Sequence, residues 1–181
     1  GFDGIYFAAY EDVLLNVARK HLPANSIVTR SEQSALASSP ITLVMEFLGD
    51  IDFDYCMWIN SCHAFLRPST IEKAANEFRE KQASSMTAVR KRYSWFYSQE
   101  GESINNDPRI VSTEKSSPIF EVAHGFHIYQ KDHFFRTGTY WNNQLNDPLL
   151  YVIDDLEALD VDTETDFLIA EAAYRVHEAN S

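Results

Sequence analysis

A chain of 181 residues with 45% apolar side chains has room for one ordinary domain with a real core. Its formal net charge of -12 excludes a partner held through many phosphates, because a nucleic-acid polymer is bound by a basic stripe that displaces counterions. With no apolar run long enough to span a bilayer, and an opening GFDGIYFAAYEDV that lacks the basic-then-apolar layout of a secretory signal, the expectation is a soluble protein with no membrane partner.

The chain alternates short apolar runs with helical patterns. GIYFAA (4–9) reads as a strand, and EDVLLNVARKHL (11–22) as a helix carrying Val13, Leu14, Val17 and Ala18 at helical spacing. SIVTR (26–30) is a second strand, followed by a helix over PITLVMEFLGD (40–50). YCMWIN (55–60) is a continuous apolar run of the kind expected in a strand buried on both faces. PSTIEKAANEFREK (68–81) predicts a helix with Ile71, Ala74, Ala75 and Phe78 inward and a Ser or Thr cap, and SMTAVRK (85–91) another strand. This rhythm predicts an α/β fold with a largely parallel sheet covered by helices.

From Arg92 to Pro118 the rhythm breaks into an aromatic, then Ser-, Asn- and Pro-rich stretch, which predicts hairpins or loops within the domain. IFEVAHGFHIYQ (119–130) returns to strand character, KDHFFRTG (131–138) to a short helix, and ALDVD (158–162) reads as the final strand. Phe167, Ala170 and Tyr174 then share one face of a closing helix, a pattern for core packing. Trp95, Phe96, Tyr97, Tyr140 and Trp141 read as buried contacts rather than a stacking platform for bases.

Cys56 and Cys62 are too few for a disulfide framework, and the setting they fit is reducing and cytoplasmic. Cys62 beside His63 makes a poor nucleophile pair, since adjacent side chains of an extended segment point apart. His124 and His127 lie an odd number of residues apart, so in a regular strand they face opposite sides and cannot share an ion, with or without His133. Arg30, Arg67 and the basic run VRKRY (89–93) are cations that could meet a small anionic ligand or lie solvated at the surface.

Ligands of open α/β sheets sit beyond the carboxyl ends of the strands, where Arg30, Asn60 and the pair Asp160 and Asp162 fall. Residues i and i+2 of an extended chain face one side, so the two aspartates can share a cation, and magnesium needs only one or two carboxylates when phosphates and water supply the rest. The same residues read equally well as the acidic approach to a helix, with Thr163 and Asp166 forming a capping box.

LDVDTETDFLIAEAAY resembles the closing motif of the acylneuraminate cytidylyltransferase (CMP-sialic acid synthetase) family, in which Asp-x-Asp, Thr, an acidic residue and Asp-Phe lead into the last helix. WINSCHAFLRPSTIEKAANEF (58–78) is similar to that family's middle strand, loop and helix, residues 5–39 to its second strand, helix and arginine-bearing third strand, and HGFHIYQKDHFF to the strand before its dimerisation region. The resemblance implies a three-layer, Rossmann-like nucleotidyltransferase fold over residues 1–181, with a dimerisation excursion near 92–150 and a homodimer. It implies magnesium on Asp160 and Asp162 as the catalytic pair, and sugar contacts from Asn60 and Arg30. The implied reaction joins CTP to an acidic nine-carbon sugar, giving a CMP-sugar and pyrophosphate; the alternative is a catalytically silent relative that binds a sugar or nucleotide or serves in an assembly.

The departures from that pattern are also specific. Family members begin with a strand and a basic Gly-rich loop around CTP, and Gly1 stands where the second strand would begin, so the expectation is a portion of a longer protein lacking its first strand and nucleotide loop. The turn NSCHAF has Ser, His and Ala where relatives carry Pro, Thr or Ser, and Pro, and ALASSP lacks the aspartate common after Ala-Ser.

Overall fold

The computed structural model describes residues 1–179. They form two compact units, one of Gly1–Tyr55 with Gln130–Tyr140 and one of Cys56–Tyr129 with the described residues from Trp141 onward.

In the first unit, β1 (Phe7–Ala9) pairs in parallel with β2 (Ile27–Thr29), Ala8 opposite Val28, joined by α1 (Asp12–Ala18). This is the expected strand-helix-strand unit, but α1 turns Leu15 and Ala18 inward, while Val13, Leu14 and Val17 are exposed. The helical period was right and the buried face was misjudged, because an apolar stripe wider than the contact leaves part of itself in water. The helix expected over 40–50 is α2 (Ile41–Val44) followed by a 3-10 helix, Glu46–Asp50, whose Leu48 is buried. Helix α4 (Lys131–Thr137) ends at Gly138, whose φ of +71° is the left-handed conformation that a glycine adopts without a Cβ penalty.

The second unit carries the principal sheet, in the order β3 (Tyr55–Ile59), β5 (Ile119–Gln130), β4 (Met86–Arg92), β6 (Leu149–Val152). Strand β6 runs parallel to β4, with Ala88 opposite Tyr151, whereas β5 runs antiparallel to β4. The sheet is therefore mostly parallel with one reversal, and the reversal follows from the connection: residues 93–118 contain no crossover helix, only a hairpin around Tyr97 and Ser103 and a 3-10 helix, Thr113–Lys115. Helix α3 (Pro68–Glu80) lays Ala74 and Phe78 against Met86, Ala88, Phe126 and Ile153 to make the core. Pro68 starts this helix in place of the expected hydroxyl cap, a role that suits its fixed φ and missing N–H.

Two further expectations fail. Strand β3 is half-buried, with Tyr55 47% and Ile59 41% exposed, rather than covered on both faces. Residues 158–162 are not a strand; the strand is β6, and Asp154 ends it by accepting the Glu157 backbone N–H at 2.8 Å on Oδ1, a side-chain turn that competes with the sheet ladder. Within the described sheets β1 and β3 each have a single strand neighbour, β2 and β5 respectively. The closing helix α5 (Glu164–Ala179) buries Ala170 but leaves Phe167 and Tyr174 more than half exposed, so the face read as core is only partly so.

Candidate functional site

Beyond the end of β3 the chain turns sharply through Asn60, Ser61, Cys62 and His63. The Asn60 side chain closes the turn by accepting the Cys62 backbone N–H at 3.0 Å, a conformation open to Asn because its carbonyl reaches two residues on. The turn is then fixed from β5: Asn60 N–H donates to the Gly125 carbonyl at 3.0 Å, and His63 Nε2 lies 2.7 Å from the Ala123 carbonyl.

Those two carbonyls are presented by a bulge. Along the β4–β5 ladder the register passes from Thr87 opposite His127 to Val89 opposite Val122, so β5 carries extra residues there, and His124 sits at φ +54°. A bulge re-aims side chains near a site. It also overturns the expectation that His124 and His127 face apart: His124 Nδ1 lies 3.3 Å from His127 Nε2. The alternation rule assumed an unbroken strand.

The segment carrying the two aspartates meets the turn. Val161 N–H donates to the Cys62 carbonyl at 3.2 Å, and Asn60 Nδ2 donates to Asp160 Oδ1 at 3.4 Å across 100 residues of sequence. Cys62, Asp160 and Asp162 each offer a ligand atom, all within 4.8 Å of one another. His63 is buried, and its Nδ1 faces Asp160 Oδ1 at 3.5 Å with no hydrogen-bond partner. Burial, then the charges of Asp160 and Asp162, push the Cys62 thiol above its ordinary range, as expected beside two carboxylates.

The helix start has its own residues. Thr163 and Asp166 make the capping box, with Thr163 N–H donating to Asp166 Oδ2 at 2.9 Å and Asp166 N–H to Thr163 Oγ1 at 3.2 Å. The side chains of Asp160 and Asp162 are not the caps, although the Asp162 backbone N–H also donates to the Asp166 carboxylate. Two carboxylates fit a hard divalent cation; the adjacent thiol and the imidazole nitrogen without a hydrogen-bond partner widen the donor set.

The other basic candidates are engaged elsewhere. Arg67 donates from Nε to Glu157 Oε1 at 3.0 Å and from Nη2 to Glu157 Oε2 at 2.8 Å and Asp154 Oδ2 at 2.5 Å. Arg90 and Arg92 both bind Glu121 at 2.7 Å, and Lys91 lies over the Tyr93 ring. None of these was legible as an ion pair, because the partners are remote in sequence. Arg30, in the first unit, follows β2, bonds Ser34 through Nε at 3.3 Å, and lines a hollow with Thr29, Glu46 and Phe47. His133 bonds Thr139 and Thr137. Both cysteines are free, and among the described residues no helix is long and apolar enough to cross a membrane.

Sequence reasoning missed Cys62 and His63 as members of the site. Their sequence signal was present, but it was judged as a nucleophile pair in an extended segment, whereas a tight turn brings both toward the aspartates.

No protein-family model matches the sequence, and no curated protein matches it. The fold is similar to the crystal structure of 4-diphosphocytidyl-2C-methyl-D-erythritol synthase from Anaerococcus prevotii DSM 20548, with a TM-score of 0.64 over 96% of this chain and 79% of that one. At 12% identity the likeness establishes the α/β, Rossmann-like fold and nothing finer.

Proposed function

We propose that the chain belongs to a CTP-dependent nucleotidyltransferase that activates an acidic nine-carbon sugar of the sialic acid type, giving a CMP-sugar and pyrophosphate. The observation that carries this reading is the convergence of Asn60, Asp160 and Asp162, residues that the family resemblance singled out, into one cluster beyond β3. The fold neighbour, a synthase of a diphosphocytidyl compound by its name, supports cytidylyl transfer over other chemistries of the fold.

In this reading Asp160 and Asp162 hold a divalent cation, magnesium by the family's pattern, which when bound offsets charge on the phosphoryl oxygens and the leaving pyrophosphate. Asn60 donates to Asp160 and contacts the sugar, while a sugar contact from Arg30 rests on the resemblance alone. A sugar hydroxyl attacks the α-phosphorus, the α–β anhydride bond breaks and pyrophosphate departs. The protein's contribution is position and charge placement, both large in a site from which water is excluded. A homodimer through residues 92–150 and a cytoplasmic setting belong to the same proposal.

The test is pyrophosphate release from CTP and Mg2+ with a panel of nonulosonic acids, expected with at least one sugar and lost in Asp162→Ala. Absence of release with every sugar and divalent metal removes the enzyme reading. The commitment of Arg67, Arg90 and Arg92 to carboxylates favours a second reading, a catalytically silent relative that binds a sugar or nucleotide or acts as an assembly partner. Calorimetric binding of a CMP-sugar without turnover would select it.

A further inference from the structure

We infer that the cation site at Asp160 and Asp162 is a mixed oxygen, sulfur and nitrogen site, with Cys62 Sγ as a ligand and His63 Nδ1 as the nitrogen donor beside it, selective for a borderline divalent metal such as Co2+ or Zn2+ over Mg2+. The inference rests on reading this cluster as a metal site and deepens it by naming the metal class.

Two independent observations carry it. The first is the clustering of the Cys62, Asp160 and Asp162 ligand atoms within 4.8 Å, close enough that small side-chain rotations bring them onto one ion with bonds of about 2.0–2.3 Å. The second is the placement of His63. Its Nε2 is 2.7 Å from the Ala123 carbonyl oxygen, which only accepts, so Nε2–H donates there and Nδ1 is the ring nitrogen turned toward the aspartates. Nδ1 is buried, has no hydrogen-bond partner, and faces Asp160 Oδ1 at 3.5 Å. A buried polar atom left without a hydrogen-bond partner is costly, and a divalent cation held by Asp160 would give this one a partner.

The donor chemistry then sets the selectivity. Magnesium prefers oxygen donors, whereas a thiolate and an imidazole favour later, softer ions. The carbonyl that anchors His63 Nε2 is the outer partner that fixes a ligating histidine's tautomer and ring orientation. Metal binding would release the Cys62 proton to solvent, leaving a thiolate on the ion.

The experiment titrates the whole protein with Co2+ alone and follows its absorption spectrum, with competition by Zn2+, Mn2+ and Mg2+ in calorimetry. Expected are a thiolate-to-cobalt charge-transfer band in the wild type and displacement of Co2+ by Zn2+ but not by equimolar Mg2+. Cys62→Ser should abolish the band and weaken Co2+ and Zn2+ by about 10- to 100-fold, leaving Mg2+ binding in place. Cys56→Ser, at the other thiol, should keep the band. Absence of the band in the wild type overturns the inference without any variant having to fold, as do equal affinities for Mg2+ and Co2+. Turnover of CTP without the band leaves the enzyme reading standing and removes this one; the band without turnover does the reverse.

Discussion

His63 and Asp160 face each other, Nδ1 to Oδ1, at 3.5 Å, while the opposite ring nitrogen of His63 is tethered 2.7 Å from the Ala123 carbonyl in the β5 bulge. A regular β5 would not place that carbonyl there, so the bulge, the histidine and the aspartate form one mechanical chain. His63→Phe keeps the ring's volume and removes both nitrogens. Its expected cost is about 1–3 kcal/mol of stability, from the orphaned Ala123 carbonyl, and about a 10- to 100-fold loss of metal affinity. Chemical denaturation and calorimetry on the same sample check both; a stability loss with unchanged metal affinity would reduce His63 to a packing residue.

Thr163 and Asp162 are neighbours to which the proposed function gives separable duties. Thr163→Ala removes the hydroxyl that accepts the Asp166 N–H, and should cost about 1 kcal/mol as a lost helix cap while leaving metal binding and turnover in place. Asp162→Asn should do the opposite, abolishing metal-dependent turnover with no loss of melting temperature, since it removes one of two adjacent carboxylates. Thermal melts beside a pyrophosphate assay separate them, and equal effects of the two substitutions on turnover would return Asp162 to the helix start.

The fold was legible where one physical signal dominated. Period and length placed β4, β5, α3 and α4 to within a residue or two, because Met86–Arg92, Ile119–Gln130, Pro68–Glu80 and Lys131–Thr137 each have a single apolar pattern and clear breaks. The aspartate pair stood out through its resemblance to a family motif, and the structure gathers it with Asn60, yet the strand read there is absent, since the Asp154 turn that ends β6 depends on a side chain competing with the ladder. Burial was the least legible property. Phe167 and Val13 carry the same apolar signal as Phe78, and only the tertiary arrangement decides that Phe78 is covered while the other two are more than half exposed.

Arg67 illustrates what sequence cannot pair. The Glu157 side chain is 4% exposed and receives three hydrogen bonds from Arg67, one from its backbone. Burial alone would raise the Glu157 carboxyl, but Arg67 and Thr70 hold it below its ordinary value. Arg67→Met keeps most of the stem and strands this buried carboxylate. The expected outcome is a lower urea midpoint, a smaller drop than breaking a fully buried pair would cause, because water reaches the guanidinium side chain. Glu157→Gln in the same background should recover part of it. Urea titration of the two single variants and the double variant checks this, and additive effects would show that the pair is not coupled.

His127 makes stability depend on pH in a window that the carboxylates leave free. The ring is fully buried, stacked on Trp58 at 5.4 Å and edge-on to Trp141 at 5.1 Å, with Nδ1 2.7 Å from Thr87 Oγ1. Burial, then the charges of His124 and His63, lower its pKa from 6.5 to about 3. Above pH 6.5 the ring is neutral in both states and contributes no slope. Between 6.5 and about 3 the unfolded chain takes up a proton that the folded chain refuses, so stability falls as pH falls, by about 1.4 kcal/mol per unit. From pH 6.5 down to about 4.5 most carboxylates are still ionised in both states, so a loss of roughly 2–3 kcal/mol there belongs mainly to this ring. Urea unfolding at half-unit pH steps should show that slope in the wild type and a flatter line in His127→Gln, whose side chain does not titrate. Parallel lines for the two proteins would mean that the folded ring takes up its proton as readily as the unfolded one, and that the aromatic enclosure does not exclude the charge.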